Sequence, residues 1–106
     1  MQMNQSMVDW YKAQVIAAVA RKLNIPDWDF MDSDEQFKAI QEPYPEIGDL
    51  LEVFLGKYDE WWSFQEEHKA DIEKSGLKPE HLPRNMELMD ARDSSREQLR
   101  QAVNGR

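Results

Sequence analysis

The sequence has no cysteine, so ordinary catalysis or metal binding would have to be built from two histidines, a few serines and 21 carboxylates. A serine nucleophile needs a base beside it. Only His68 and His81 could serve: His68 lies in a helical pattern next to Asp71 and Ile72, and His81 stands between Pro79 and Pro83. Both read as structural or surface residues. A carboxylate-bridged metal site in a helical bundle uses Glu-x-x-His, but Gln65, which is not a ligand, occupies the glutamate position before His68. A calcium loop beginning at Asp27 and Asp29 would need glycine at its sixth position, where Asp32 stands. Gly48, Gly56, Gly76 and Gly105 are isolated, so no loop of clustered glycines brings backbone N–H groups up to a phosphate. Without cysteine there are also no disulfides, zinc ribbons or iron–sulfur clusters. The expectation is no enzyme, no cofactor and no metal, leaving a function in binding.

The charge distribution indicates what would be bound. The net charge of −8 is unevenly spread: residues 1–26 carry +2, residues 68–106 carry +1, and residues 27–67 carry −11, with thirteen acids against Lys38 and Lys57 alone. Direct binding to nucleic acid or to an anionic membrane is disfavoured, because phosphate contacts need clustered Lys and Arg. A row of carboxylates on a helix instead imitates a phosphate backbone and attracts a Lys/Arg-rich cleft. The alternative is that the acids form an ordinary solvated face. Aromatic residues are the second signal. Trp61, Trp62 and Phe64 cannot all point into one core, since successive helical residues diverge by about 100°. Either a second layer covers the far side, or Trp62 or Phe64 is left for a partner or a dimer mate. Trp28 and Phe30, set among aspartates, are expected to be exposed.

The candidate partner-binding residues are therefore Asp27, Trp28, Asp29, Phe30, Asp32, Asp34, Glu35, Asp49, Glu52, Asp59, Glu60 and Trp62. They describe an acidic module that antagonises or chaperones a basic protein, such as a nucleic-acid-binding one. The class-level analogy is to phage-encoded inhibitors that mimic DNA and to immunity proteins. The alternative is a structural or assembly protein that forms a homodimer or larger complex through its surplus aromatic face.

The elements that would position these residues are all helical. The fold class expected is all-α: a small bundle of about four helices around one long central helix at about 45–75, in a single domain spanning 1–106. A first helix starts at Asn4 or Ser6 as N-cap, with Asp9 in its first turn. It buries Val8, Tyr11, Val15, Val19 and Leu23, and Met7 and Ile16 widen the stripe. Asn24-Ile25-Pro26 ends it. Ala13, Ala17 and Ala20 form a small-residue flank that would admit a close neighbouring helix. Asp27 to Asp34 reads as a turn or short helical segment. Ser33 and Gln36 resemble a capping box for a short helix to about Gln41, with Phe37 and Ile40 inward. Pro45 opens the long helix, in which Leu51, Phe54, Tyr58 and Trp61 are core; Gly56 marks a bend or a close contact, and Gly76 and Leu77 make a Schellman ending. After Pro83 a helix runs to about Ala91; then either Ser94 and Glu97 cap a final short helix, or the whole stretch is one helix with a solvated middle. The longest apolar run, Val15 to Ala20, is far below the ~20 residues of a membrane span. No signal-peptide pattern precedes it, so a cytoplasmic location is expected.

Overall fold

The computed structural model describes residues 5–105, with side chains from residue 7 onward. Among these residues there are five α-helices and no strand: α1 (Gln5–Lys22), α2 (Ser33–Gln41), α3 (Pro45–Glu67), α4 (Lys69–Lys74) and α5 (Leu82–Asn104). Two single 3-10 turns, Trp28–Phe30 and Pro79–His81, lie in the connections.

Asn4, one proposed cap, lies outside the described residues. Ser6 is already inside α1, which places Asp9 beyond the first turn. Val8, Ile16, Val19, Ala20 and Leu23 are buried as their spacing requires, while Tyr11 and Val15 are half-buried. The helix ends in a Schellman motif. Asn24 is left-handed (φ 57°), its N–H donates to the Arg21 carbonyl at 3.1 Å, and the Ile25 N–H donates to the Ala20 carbonyl at 3.0 Å. Asparagine tolerates this conformation, and the buried Ile25 supplies the apolar residue that usually follows it.

The cap of α2 is shifted by one residue from the expected position. Asp32 is the N-cap: its Oδ1 accepts from the Glu35 N–H at 2.9 Å, and the Asp32 N–H donates to Glu35 Oε1 at 3.2 Å. Gln36 is buried instead of capping, and its amide donates to the carbonyls of Trp28 (2.8 Å) and Met31 (3.3 Å). That side chain ties the 3-10 turn to α2. Pro45 opens α3 as its spacing suggested. Buried Gly48 lies against the end of α2, where a Cβ would stand 2.9 Å from Gln41 Cγ and 3.1 Å from its Cα. Glycine is needed there for close approach of the two helices.

α3 is the axis of the fold. Ile47, Leu51, Phe54, Tyr58 and Trp62 recur every three or four residues and are buried in one hydrophobic core with residues of α1, α2 and α5. The seam passes through Trp62, whereas Trp61, expected in the core, is half-buried at its edge. α1 and α2 pack together and α2 packs on α3, but the most extensive helix–helix contact is between α3 and α5. α5 thus forms a second layer against α3. Trp62 and Phe64 are both 8% exposed.

The long central helix stops short of Ser75. At His68 the backbone departs from helical values (φ −106°, ψ 17°), and the helix is interrupted there before α4 resumes at Lys69. Glu66 and Glu67 immediately before His68 put carboxylates at a helix C-terminus, where the macrodipole disfavours them. The His68 ring lies against Phe64 (4.4 Å between centroids) and His81 (4.2 Å). Gly76 is left-handed (φ 89°), but the six-to-one hydrogen bond is donated by its own N–H to the Asp71 carbonyl rather than by that of Leu77.

α5 is one continuous helix. No break occurs at Ala91, and Ser94 and Glu97 cap nothing. Its middle is not solvated all round either. Ser95 is buried with its hydroxyl donating to the Arg92 carbonyl at 2.9 Å, and the Arg92 guanidinium lies 4.5 Å from the centre of the Trp61 ring. Leu88, Arg92, Ser95, Leu99 and Val103 therefore form the inward row at helical spacing, with two polar members. The Cα atoms span 48 × 25 × 16 Å with a radius of gyration of 15.7 Å, against about 13 Å for a compact chain of this length. The helices form a flat, elongated slab, and much of their surface faces outward.

Candidate acidic binding face

α3 has two sides with different tasks. Its inner side carries the core row, and its outer side carries Asp49, Glu52, Val53, Gly56, Lys57 and Glu60, which line an open concavity of about 450 Å³. Gly56, which has no side chain, contributes bare backbone to it. A Cβ at that position would meet nothing within 4 Å, so no close helix contact accounts for the glycine, and α3 continues through it without a break. Val53, 48% exposed, provides an apolar floor beside the bare backbone. Asp49 and Glu52 make no ion pair among the described residues, while Glu60 lies 3.7 Å from Lys57 across one helical turn. An exposed pair of that kind is worth a few tenths of a kcal/mol, so it leaves the site acidic.

The remaining candidates divide. Asp27, Asp29 and Asp34 are exposed, and Phe30 is 86% exposed on the 3-10 turn, a bare ring among carboxylates. These residues do not line the α3 concavity. Trp28, expected to be exposed, is instead half-buried and packs against the core. Phe30 alone of the pair presents itself to solvent, because the turn fixes one aromatic inward and leaves the next outward. Asp32 and Glu35 are exposed but already serve one another as the capping box of α2. Asp59 is half-buried and held by Lys12, whose ammonium donates to its two carboxylate oxygens at 2.8 and 3.1 Å, joining α1 to α3. Trp62 is in the core and offers no surface to a partner. Asp49, Glu52 and Glu60 are thus the expected residues that the structure brings together in one concavity, and Val53, Gly56 and Lys57 complete it. Isolated Gly56, between Val53 and Lys57 in an otherwise strong helical pattern, was the available signal.

Two other groupings emerge only in three dimensions. Tyr11 stacks on Tyr58 at 4.7 Å, and Tyr58 meets Trp61 at 5.4 Å beneath Arg92. Burial raises the pKa of the Tyr58 hydroxyl above the ordinary value of 10.0; neighbouring Tyr11 acts in the same sense and Arg92 opposes it. His68 and His81, distant in sequence, stack at the interruption, with His81 Nε2 3.6 Å from Glu80. Among the described residues no group of three or more His, Cys, Asp or Glu side chains could hold a metal ion. No helix among them is long and apolar enough to cross a membrane. Comparison with protein-family models, with curated proteins and with solved structures finds no match for this chain.

Proposed function

We propose that this protein is an acidic binding module that docks the outer face of α3 onto a basic protein and thereby antagonises or chaperones it. One observation carries the reading. Gly56 sits in the centre of α3, costs about 1 kcal/mol of helix stability relative to alanine, and meets no neighbour that would require it. It leaves bare backbone beside Val53 and among Asp49, Glu52 and Glu60. Bare backbone at such a place lets another chain approach closely, and the surrounding carboxylates steer cationic surfaces toward it. The carboxylate row follows the helix axis, which is why a protein that otherwise grips nucleic acid phosphates is the favoured partner class. A DNA-mimic or immunity-type inhibitor acting in the cytoplasm is the finer form of the same proposal.

The test is capture from a lysate on immobilised protein at low and high salt, comparing wild type with Asp49→Lys/Glu52→Lys and with Gly56→Leu. Basic proteins should be retained at low salt and released at high salt. Charge reversal should abolish their retention, and filling the concavity should weaken it even though leucine favours the helix. Retention of the same basic proteins by all three proteins, with the same salt dependence, would remove the α3 face from the account.

A further inference from the structure

α5 carries two apolar features on one side of itself. Near its N-terminus Leu82, Met86 and Met89 are 46%, 63% and 37% exposed, and intervals of four and three residues place them in one row on the helix surface. The same spacing continues the row through Asp93 to Arg96 and Arg100, and these two arginines line an open groove of about 400 Å³ between α5 and α1. Val15 and Ala18 of α1 face Leu99 and Val103 of α5 across the groove, with Phe54 of α3 between them. α1 and α5 therefore flank α3 without closing on each other, and the gap between them is open to a row of side chains from outside. The exposed row extends about 10 Å and the α5 wall of the groove about 12 Å, at 1.5 Å per residue.

A ridge and a groove of matching length, on one side of one helix and displaced along it about Asp93, are complementary to themselves under a two-fold rotation. We propose that two copies of this chain associate through antiparallel α5 helices, each seating its Leu82, Met86 and Met89 row in the α1–α5 groove of the other. Such a contact is isologous and closes at two subunits. The charge distribution favours this face. In a chain of net charge −8, α5 holds four acids and four bases, and α1 holds one acid and three bases. An approach through α3 would set acidic faces against each other, whereas this one does not. In the antiparallel register Arg96 lies opposite Asp90 of the second copy. Asp93, which meets its own counterpart on the axis, is already paired with Arg92 at 2.9 Å and Arg96 at 3.9 Å. The proposal is independent of the α3 reading and leaves that face free in the dimer.

Sedimentation equilibrium of the full chain from micromolar to millimolar concentration tests it. The mass should approach twice 12.6 kDa, and Met86→Glu, which changes a side chain already in water, should restore the monomer and melt where the wild type melts at concentrations too low for it to pair. Because the chain has no cysteine, Asp93→Cys introduces one thiol per chain, and a short bismaleimide should link it across the axis. Val53→Cys, on the outer face of α3, should give no linked dimer. A monomer mass at every concentration overturns the proposal. So does a dimer that survives Met86→Glu, or one that cross-links through Val53→Cys and not through Asp93→Cys. Capture of basic proteins through α3 should be unaffected by Met86→Glu, so the two proposals fail separately.

Discussion

Gly56→Ala should make this protein more stable. The position is central in α3 and solvent-exposed, and an added Cβ would touch nothing within 4 Å. The variant therefore gains the helix propensity difference of about 1 kcal/mol and loses no packing. With an unfolding entropy of about 2.1 cal/mol/K per residue, a chain of this size should melt about 4 to 5 °C higher. Gly48→Ala is the control in the same helix. It gains the same propensity but drives a Cβ to 2.9 Å from Gln41 Cγ and 3.1 Å from its Cα, crowding that costs roughly 1 to 3 kcal/mol. Because propensity is common to both, the difference between the two variants in urea unfolding reports that crowding directly. Gly56→Ala should be the more stable by about 1 to 3 kcal/mol, with equal m-values. A fall in stability for Gly56→Ala would refute the reasoning, since it would mean that the outer face of α3 is covered or the helix is not continuous there. Two equal variants would show that α2 and α3 do not meet at Gly48.

Phe54, 1% exposed at the centre of the core, should lose about 3 to 5 kcal/mol on truncation to alanine; a loss under about 1 kcal/mol in the same unfolding assay would mean that the phase of α3 is wrong. Charge reversals in the acidic segment should not be equivalent. Asp32→Lys removes the cap of α2 and should cost about 1 kcal/mol, whereas Asp29→Lys should change stability by no more than about 0.5 kcal/mol. Asp27 is left-handed (φ 59°), so Asp27→Lys should add backbone strain of about 1 kcal/mol. The raised pKa of Tyr58 means that the fold holds a proton there which the unfolded chain releases earlier. Its stabilising effect should be complete below pH 10 and be lost as the pH rises through the folded value. Phenolate absorbance should show a component titrating above the ordinary tyrosine range, and Tyr58→Phe should abolish it.

The class of fold and most of its helix boundaries were legible because they depend on neighbours within one or two turns. Asn24-Ile25-Pro26 stops α1, Pro45 starts α3 and Gly76 turns left-handed wherever the rest of the chain goes, since the preferences of asparagine, proline and glycine are local. The apolar spacing likewise placed Leu51, Phe54 and Tyr58 on one face. What the sequence left open depends on where distant helices lie. Trp61 and Trp62 flank the inward direction of α3 almost symmetrically, and the positions of α1 and α5 decide that Trp62 is buried and that Trp61 becomes the platform for Arg92. The polar stretch from Asp90 to Arg96 looks like a solvated joint until Trp61 and the inward side of α5 give Arg92 and Ser95 partners. The interruption at His68 lies beside His81, which is distant in sequence and brought back by the fold. The same logic governs the binding face. Asp32 is engaged by the N–H of Glu35 three residues on, but acid content alone could not separate the lysine-bound Asp59 from Asp49 and Glu52, because there a carboxylate's availability depends on which donors the tertiary structure brings within about 3 Å of it.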